Sequence, residues 1–142
     1  MRGYWEDPEK TTARFRPGAL PGERVCYSGD LFRTDADGFF YFVSRKDDMI
    51  KSRGEKVSPR EVENVLCAMT GIAEAAVVGV PDPMLGQAVK ACVVRSDKGI
   101  TAAKVLAHCR AQLEDFVVPQ TVEFREALPK NASGIIDKRA LT

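Results

Sequence analysis

Residues 27–66 read YSGDLFRTDADGFFYFVSRKDDMIKSRGEKVSPREVENVL, and they contain a hairpin, a joint and a helix in immediate succession. Asp35-Ala36-Asp37-Gly38 separates two extended stretches between Val25 and Phe42. A glycine closing such a run supplies the positive φ of a tight turn, so a β-hairpin is predicted. Ser58-Pro59-Arg60-Glu61 matches a capping box. The Ser58 hydroxyl should accept from the Glu61 amide, the Glu61 carboxylate should reach back, and Pro59 takes the first helical position, where no donor is needed. Val62, Val65, Leu66 and Met69 then fall at i, i+3, i+4 and i+7, one apolar stripe of a helix that Gly71 can stop. The charged joint between hairpin and helix is the segment best suited to move. Such a succession hangs one small domain on the edge of another.

A two-stranded ribbon alone is marginal in water, so the hairpin asks for a larger sheet. Upstream, MRGYWEDPEKTTARFR carries only Tyr4, Trp5 and Phe15 as large apolar anchors, and Asp7-Pro8 predicts the cap and first residue of one short helix. These aromatics are expected to be poorly covered and to offer a surface for self-association. Residues 1–44 are therefore read as the trailing segment of a larger domain, a short helix plus the hairpin. Residues 45–142 are read as a small, mobile α+β domain. Within it, Ala75–Val80 and Ala88–Arg95 flank the turn PDPMLGQ as strands. Thr101 caps a second helix bearing Ala102, Val105, Leu106, Cys109 and Leu113. Val122 and Phe124 alternate as a third strand, and PKNASGIIDKRALT forms a loop and at most one helical turn. The expected fold is a three-stranded sheet packed by helices.

Hydrophobic residues make up 44% and charged residues 29% of the 142, a composition able to bury a core. Lys plus Arg number 21 against 20 for Asp plus Glu, which gives no global reason to expect nucleic acid or an anionic membrane as partner. Cys26, Cys67, Cys92 and Cys109 are widely spaced with no CxxC pair, and they read as reduced core residues of a cytoplasmic protein. The first ten residues hold no apolar run of signal-peptide length, and nowhere do 18 apolar residues follow one another, so no membrane span is expected. The sequence has no GxxxxGK[ST], HExxH or GxSxG, and only one histidine, so self-contained nucleotide hydrolysis, zinc catalysis and a serine triad lack their parts. His108, beside the apolar stripe of the second helix, reads as structural. From Arg45 to Arg60 six basic residues face three acidic ones. With Gly54 permitting close backbone approach, this suits an anionic ligand such as a phosphate. An ordinary solvated loop of mixed charge is the other reading of the same residues.

The strings YSGD, RKDDMIKSRGEKVSPREVE and LPKNASGIIDKRAL, with GYWEDPEKT ahead of them, resemble the C-terminal part of the adenylate-forming (AMP-binding) superfamily of acyl-CoA synthetases, firefly luciferase and peptide-synthetase adenylation domains. The wording IKSRGEKVSPREVE is closest to fatty or aromatic acyl-CoA ligases. The resemblance covers essentially the whole chain. It implies a two-step reaction, in which a carboxylate attacks Mg2+-ATP to give acyl-AMP and pyrophosphate, and a thiol of CoA or of a carrier-protein pantetheine then displaces AMP. It also implies that the C-terminal domain swings between the steps.

The resemblance further implies roles for single residues. Asp30 would accept hydrogen bonds from the ribose hydroxyls, Arg45 would contact the nucleotide, and Asp47 holds the hinge position. Lys51 and Lys56 would reach phosphate or the pantetheine side. Gly54 would leave backbone lining the pantetheine tunnel, where a Cβ would obstruct. Ser28 stands where threonine is commoner. At Ile135 the family carries a lysine that bridges acyl carboxylate and nucleotide in the first step. Lys130 and Lys138 flank it and read as ordinary solvated positions. Losing a contact to a developing transition state typically costs about 3 to 4 kcal/mol, roughly two to three decades in rate. Two readings follow. In one the chain is the mobile C-terminal domain of an AMP-forming acyl-CoA synthetase that lacks its N-terminal adenylation domain, inactive alone, with no ATP, CoA or Mg2+ bound. In the other it is a free-standing, non-catalytic module docking on a partner ligase or carrier protein, which Met1 and Ile135 both permit.

Overall fold

Residues 2–142 are described by a computed structural model and form two units, divided between Lys46 and Asp47; Met1 lies outside the described residues. In the first unit, Asp7 Oδ1 accepts from the Lys10 amide at 2.8 Å and Pro8 opens α1 (Pro8–Arg14), as its sequence predicts. β1 (Phe15–Pro17) then pairs antiparallel with β2 (Arg24–Cys26). Phe15 is buried rather than uncovered, because Tyr4 meets it edge-on at 6.2 Å and the Arg24 guanidinium lies 5.2 Å from its ring. Trp5 is 88% exposed, as expected. β3 (Asp30–Thr34) and β4 (Phe40–Arg45) form the predicted hairpin, with Gly38 at φ +84°. Phe32, Phe39, Phe40, Tyr41 and Phe42 all stand exposed on or beside it.

The second unit is α+β. Its spine is the antiparallel pair β7 (Ile72–Asp82) and β8 (Gly86–Arg95), with β9 (Thr121–Arg125) running parallel to β8. These are the three strands expected. A second hairpin, β5 (Ile50–Ser52) and β6 (Glu55–Val57), enlarges the sheet to five strands by pairing Ser52 with Gly86. It lies where the sequence reading placed a charged joint. Its signal is a period of two, since Ile50, Ser52 and Val57 are buried while Lys51 and Lys56 are exposed.

α2 (Pro59–Cys67) and α3 (Ala102–Gln112) lay their apolar residues on one sheet face, where Val62, Leu66, Val77, Val89, Val93 and Val105 are fully buried. Ala76, Val78 and Cys92 point to the opposite face and are covered by Leu128 and Leu141 from the tail, which ends in a 3-10 turn over Lys138–Leu141. Thr101 caps α3 as predicted, accepting from the Lys104 amide. The capping box of α2 does not form. Ser58 is the N-cap, but its side chain makes no capping hydrogen bond, and the Glu61 amide goes instead to the Ser58 carbonyl at 3.2 Å. The cysteine expectation holds in half: all four are free, and Cys92 and Cys109 are buried, their thiols pushed up in pKa by that burial. Cys67 and Cys26 are exposed, the first because it lies off the α2 stripe, the second because the short strand β2 buries none of its residues.

Candidate functional site

The residues singled out from the sequence fall into three places. In the first unit, the antiparallel register sets Asp30 opposite Arg45, and their side chains approach to 3.8 Å between Oδ1 and Nε. The Ser28 hydroxyl accepts from the Asp30 amide at 3.2 Å, holding the start of β3. Half exposed as it is, the ion pair contributes little stability, about 0 to 1 kcal/mol. The guanidinium also donates to the Ser28 carbonyl at 3.5 Å, and both charged groups keep part of their surface exposed. Asp47 lies exposed in a single 3-10 turn, Lys46–Asp48, at the division between the units.

The second place is the turn of the β5–β6 hairpin. Arg53 and Gly54 both take positive φ, 55° and 82°, the backbone that a two-residue hairpin turn requires. A side chain built on Gly54 would meet nothing within 4 Å, so the bare backbone there faces open space. One step further from the turn, Lys51 and Lys56 are register partners, and both are exposed. Like charges directly opposite on a hairpin are destabilising. An anion bound between them would offset that cost.

The third place is the tail loop. Asn131 Oδ1 accepts from the Ser133 and Ile135 amides, each at 3.0 Å, and the Asn131 amide donates to the Ile135 carbonyl at 2.9 Å. Gly134 sits at φ +78°. The result is a tight, self-braced loop that holds Ile135 outward at 65% exposure. Asn131 was missed as a site residue, although Asn-x-Ser-Gly carries the signal of a side chain mimicking a backbone turn. Of the flanking lysines, Lys130 is exposed as expected and Lys138 is half-buried, and each is held in an ion pair. Lys130 Nζ pairs with Glu74 at 2.6 Å, and Lys138 Nζ pairs at 2.7 Å with Glu63, whose Oε1 also accepts from the Val77 amide. Long-range packing brought those carboxylates under the loop.

The second and third places do not come together. Arg53 donates to the Leu85 carbonyl at 3.0 Å, which puts the Gly54 turn beside the β7–β8 turn. Lys130, at the base of the tail loop, pairs with Glu74 near the other end of β7. Glu74 precedes Asp82 by eight residues, roughly 26 Å of strand. His108 belongs to neither place; its Nε2 donates to the Val65 carbonyl at 3.0 Å and ties α3 to α2. Among the described residues no cluster of three or more His, Cys, Asp or Glu could hold a metal, and no helix is long and apolar enough to cross a membrane.

Comparison with known proteins gives this geometry its relatives. The family described as the AMP-binding enzyme C-terminal domain matches residues 61–134. A long-chain-fatty-acid–CoA ligase of Yersinia pestis is 41% identical over 99% of the chain, and a feruloyl-CoA synthase of Amycolatopsis is 43% identical over 97%. The chain spans about a quarter of their length, 24% and 27%. Among solved structures, ATP-bound MatB from Rhodopseudomonas palustris superposes with a TM-score of 0.84 at 39% identity, over 99% of this chain and 27% of that one. The o-succinylbenzoate CoA synthetase MenE of Bacillus subtilis, in complex with its acyl-adenylate intermediate, superposes with a TM-score of 0.89 at 30% identity, over 100% and 28%. With its hairpin turn and tail loop carried on one small α+β sheet and its sequence matched along its length, this chain belongs to the AMP-binding enzyme C-terminal domain family, within the adenylate-forming superfamily.

Proposed function

We propose that this chain is the mobile C-terminal domain, with the trailing edge of the adenylation domain attached, of an ATP-dependent, AMP-forming acyl-CoA synthetase. The observation that carries the reading is the β5–β6 turn, where the bare backbone of Gly54 is flanked by Lys51 and Lys56 as facing register partners. Backbone without a Cβ lets a thin pantetheine arm pass, and two ammonium groups side by side suit the phosphates at its far end. The Gly54 turn and the Ile135 loop lie near opposite ends of β7, so a rotation about Asp47 presents one and withdraws the other. Asp30 takes the ribose hydroxyls and Arg45 the nucleotide. Mg2+ would accompany the triphosphate. The exposed aromatic face of the β3–β4 hairpin is where the rest of the adenylation domain packs. The acyl group is chosen there too, outside residues 1–142.

Ile135 divides the two half-reactions. The loop delivers an uncharged side chain to the place where the family's lysine acts, so acyl-AMP formation is slow while thioester formation from supplied acyl-AMP is spared. Ile135→Lys in the complete ligase should raise acyl-AMP formation by about two to three decades and leave the second step within about twofold. Equal change in both steps would sink this assignment. Residues 1–142 alone should show no pyrophosphate exchange; turnover by this chain alone would refute the fragment reading. The exposed Ile135 also suits a non-catalytic docking module, and a complete ligase unresponsive to Ile135→Lys would favour that reading.

A further inference from the structure

We propose that Gln87 is a positioning residue that sets the height of the β5–β6 hairpin against the sheet, and with it the placement of Gly54, Lys51 and Lys56. Its link to thiol transfer rests on the function proposed above; its structural part does not. Ile50 and Val57 bury the hairpin's apolar side in the core, but its backbone pairing to the sheet is thin. Ser52 opposite Gly86 is the register pair joining β5 to β8, supported by the Arg53 amide on the Leu85 carbonyl at 3.0 Å. β7 occupies the whole other edge of β8, and β9 joins this edge only from Lys90 onward. Between Gly86 and Lys90 the edge changes from an antiparallel partner to a parallel one, and no strand register spans the gap.

Two glutamine side chains fill it. Gln120 accepts the Val89 amide on Oε1 at 2.6 Å and donates Nε2 to the Val118 carbonyl at 2.8 Å, anchoring the entry to β9. Gln87 Oε1 accepts the Lys51 amide at 2.8 Å. A side-chain oxygen thus takes a donor on the edge of β5 where a strand carbonyl is missing. Space for it comes from Gly79 on β7, whose φ is not left-handed. A Cβ at position 79 would come within 3.0 Å of Gln87 Nε2 and of Ile50 Cγ2. A larger residue there would crowd the carboxamide and Ile50, and one of them would have to shift. The hairpin's own turn is two residues long and cannot set its angle to the sheet; Ile50 and Val57 anchor it in the core, and the Gln87 acceptor holds the Lys51 amide between Ile50 and Ser52.

Gln87→Met keeps side-chain length but removes the acceptor, whereas Gln87→Glu keeps an acceptor. In the 142-residue chain, Gln87→Met should speed amide exchange of Lys51 and its hairpin about fivefold to tenfold, with Val77 and Val93 unchanged, and Gln87→Glu should restore protection. If methionine is tolerated and glutamate is not, the side chain acts by packing and the proposal falls. In the complete ligase, Gln87→Met should raise KM for CoA about fivefold to tenfold with acyl-AMP formation within about twofold, and Gln87→Glu should rescue it. A loosened hairpin with unchanged KM for CoA would overturn the link to thiol transfer. A complete ligase that makes no thioester even unsubstituted would overturn the function proposed above, while the exchange result still judges the hairpin.

Discussion

The two units meet water in opposite ways. Among the described residues, 47–142 hold every buried hydrophobic residue except Phe15, arranged on both faces of one sheet. Residues 2–46 are built from ribbons whose aromatics point outward, with Phe40 at 75% exposure. Local chemistry suffices to form such ribbons: a capped helix turn, an Asx-braced tip, and rings stacked edge-on at 5.7 and 6.3 Å around Phe32. It does not suffice to stabilise them alone, since a lone ribbon lacks a second layer. One unit completes its own fold; the other, on the function proposed above, is the edge of a larger sheet.

Separating the units tests this most severely. Residues 47–142 made alone should keep a cooperative thermal transition, while residues 1–46 alone should show none by circular dichroism. A cooperative transition in the short piece would end the contrast. Core truncation comes next. Leu66→Ala, at a position with no exposure, should cost about 3 kcal/mol in urea unfolding. Phe40→Ser in the first unit should change stability by no more than about 0.5 kcal/mol and should reduce self-association in sedimentation.

The smallest effect is a titration confined to the first unit. The Tyr41 hydroxyl, at 2.7 Å, and the Phe39 amide hold Asp35 below its ordinary value of 3.8. The same contact raises Tyr41 above 10.0. The carboxylate form is the one stabilised, so the brace is complete above pH 3.8 and is lost as pH falls through the lower folded value. The phenol form of Tyr41 is likewise favoured, and its contribution fades as pH rises through its raised folded value. Tyr41→Phe should return Asp35 toward 3.8 in an NMR titration and leave Glu123, lowered by Lys90 and then Arg125 in the other unit, unmoved.

Gly38, Thr101 and the 62-65-66-69 stripe act within a few residues of themselves, and the elements they predict are present. Ser58 failed as a side-chain cap because the first turn of α2 closes through its backbone carbonyl. Phe15 is covered against expectation because Tyr4 and Arg24, which shield it, come from separate stretches of chain. The hairpin at 50–57 was hidden by its charges, although its alternation was visible.

Helix periods, turn glycines and the motif wording around Asp30, Asp47, Gly54 and Ile135 could be read from residues alone, since each depends on neighbours close in the chain. What had to wait for the folded chain was which edge of β8 receives β5 and which receives β9, the carboxylates of Glu63 and Glu74 beneath the tail, and Gln87 standing in for a strand carbonyl. Those contacts join residues tens of positions apart. They are set by which surfaces pack together after the local elements form, and no short stretch of sequence encodes that choice.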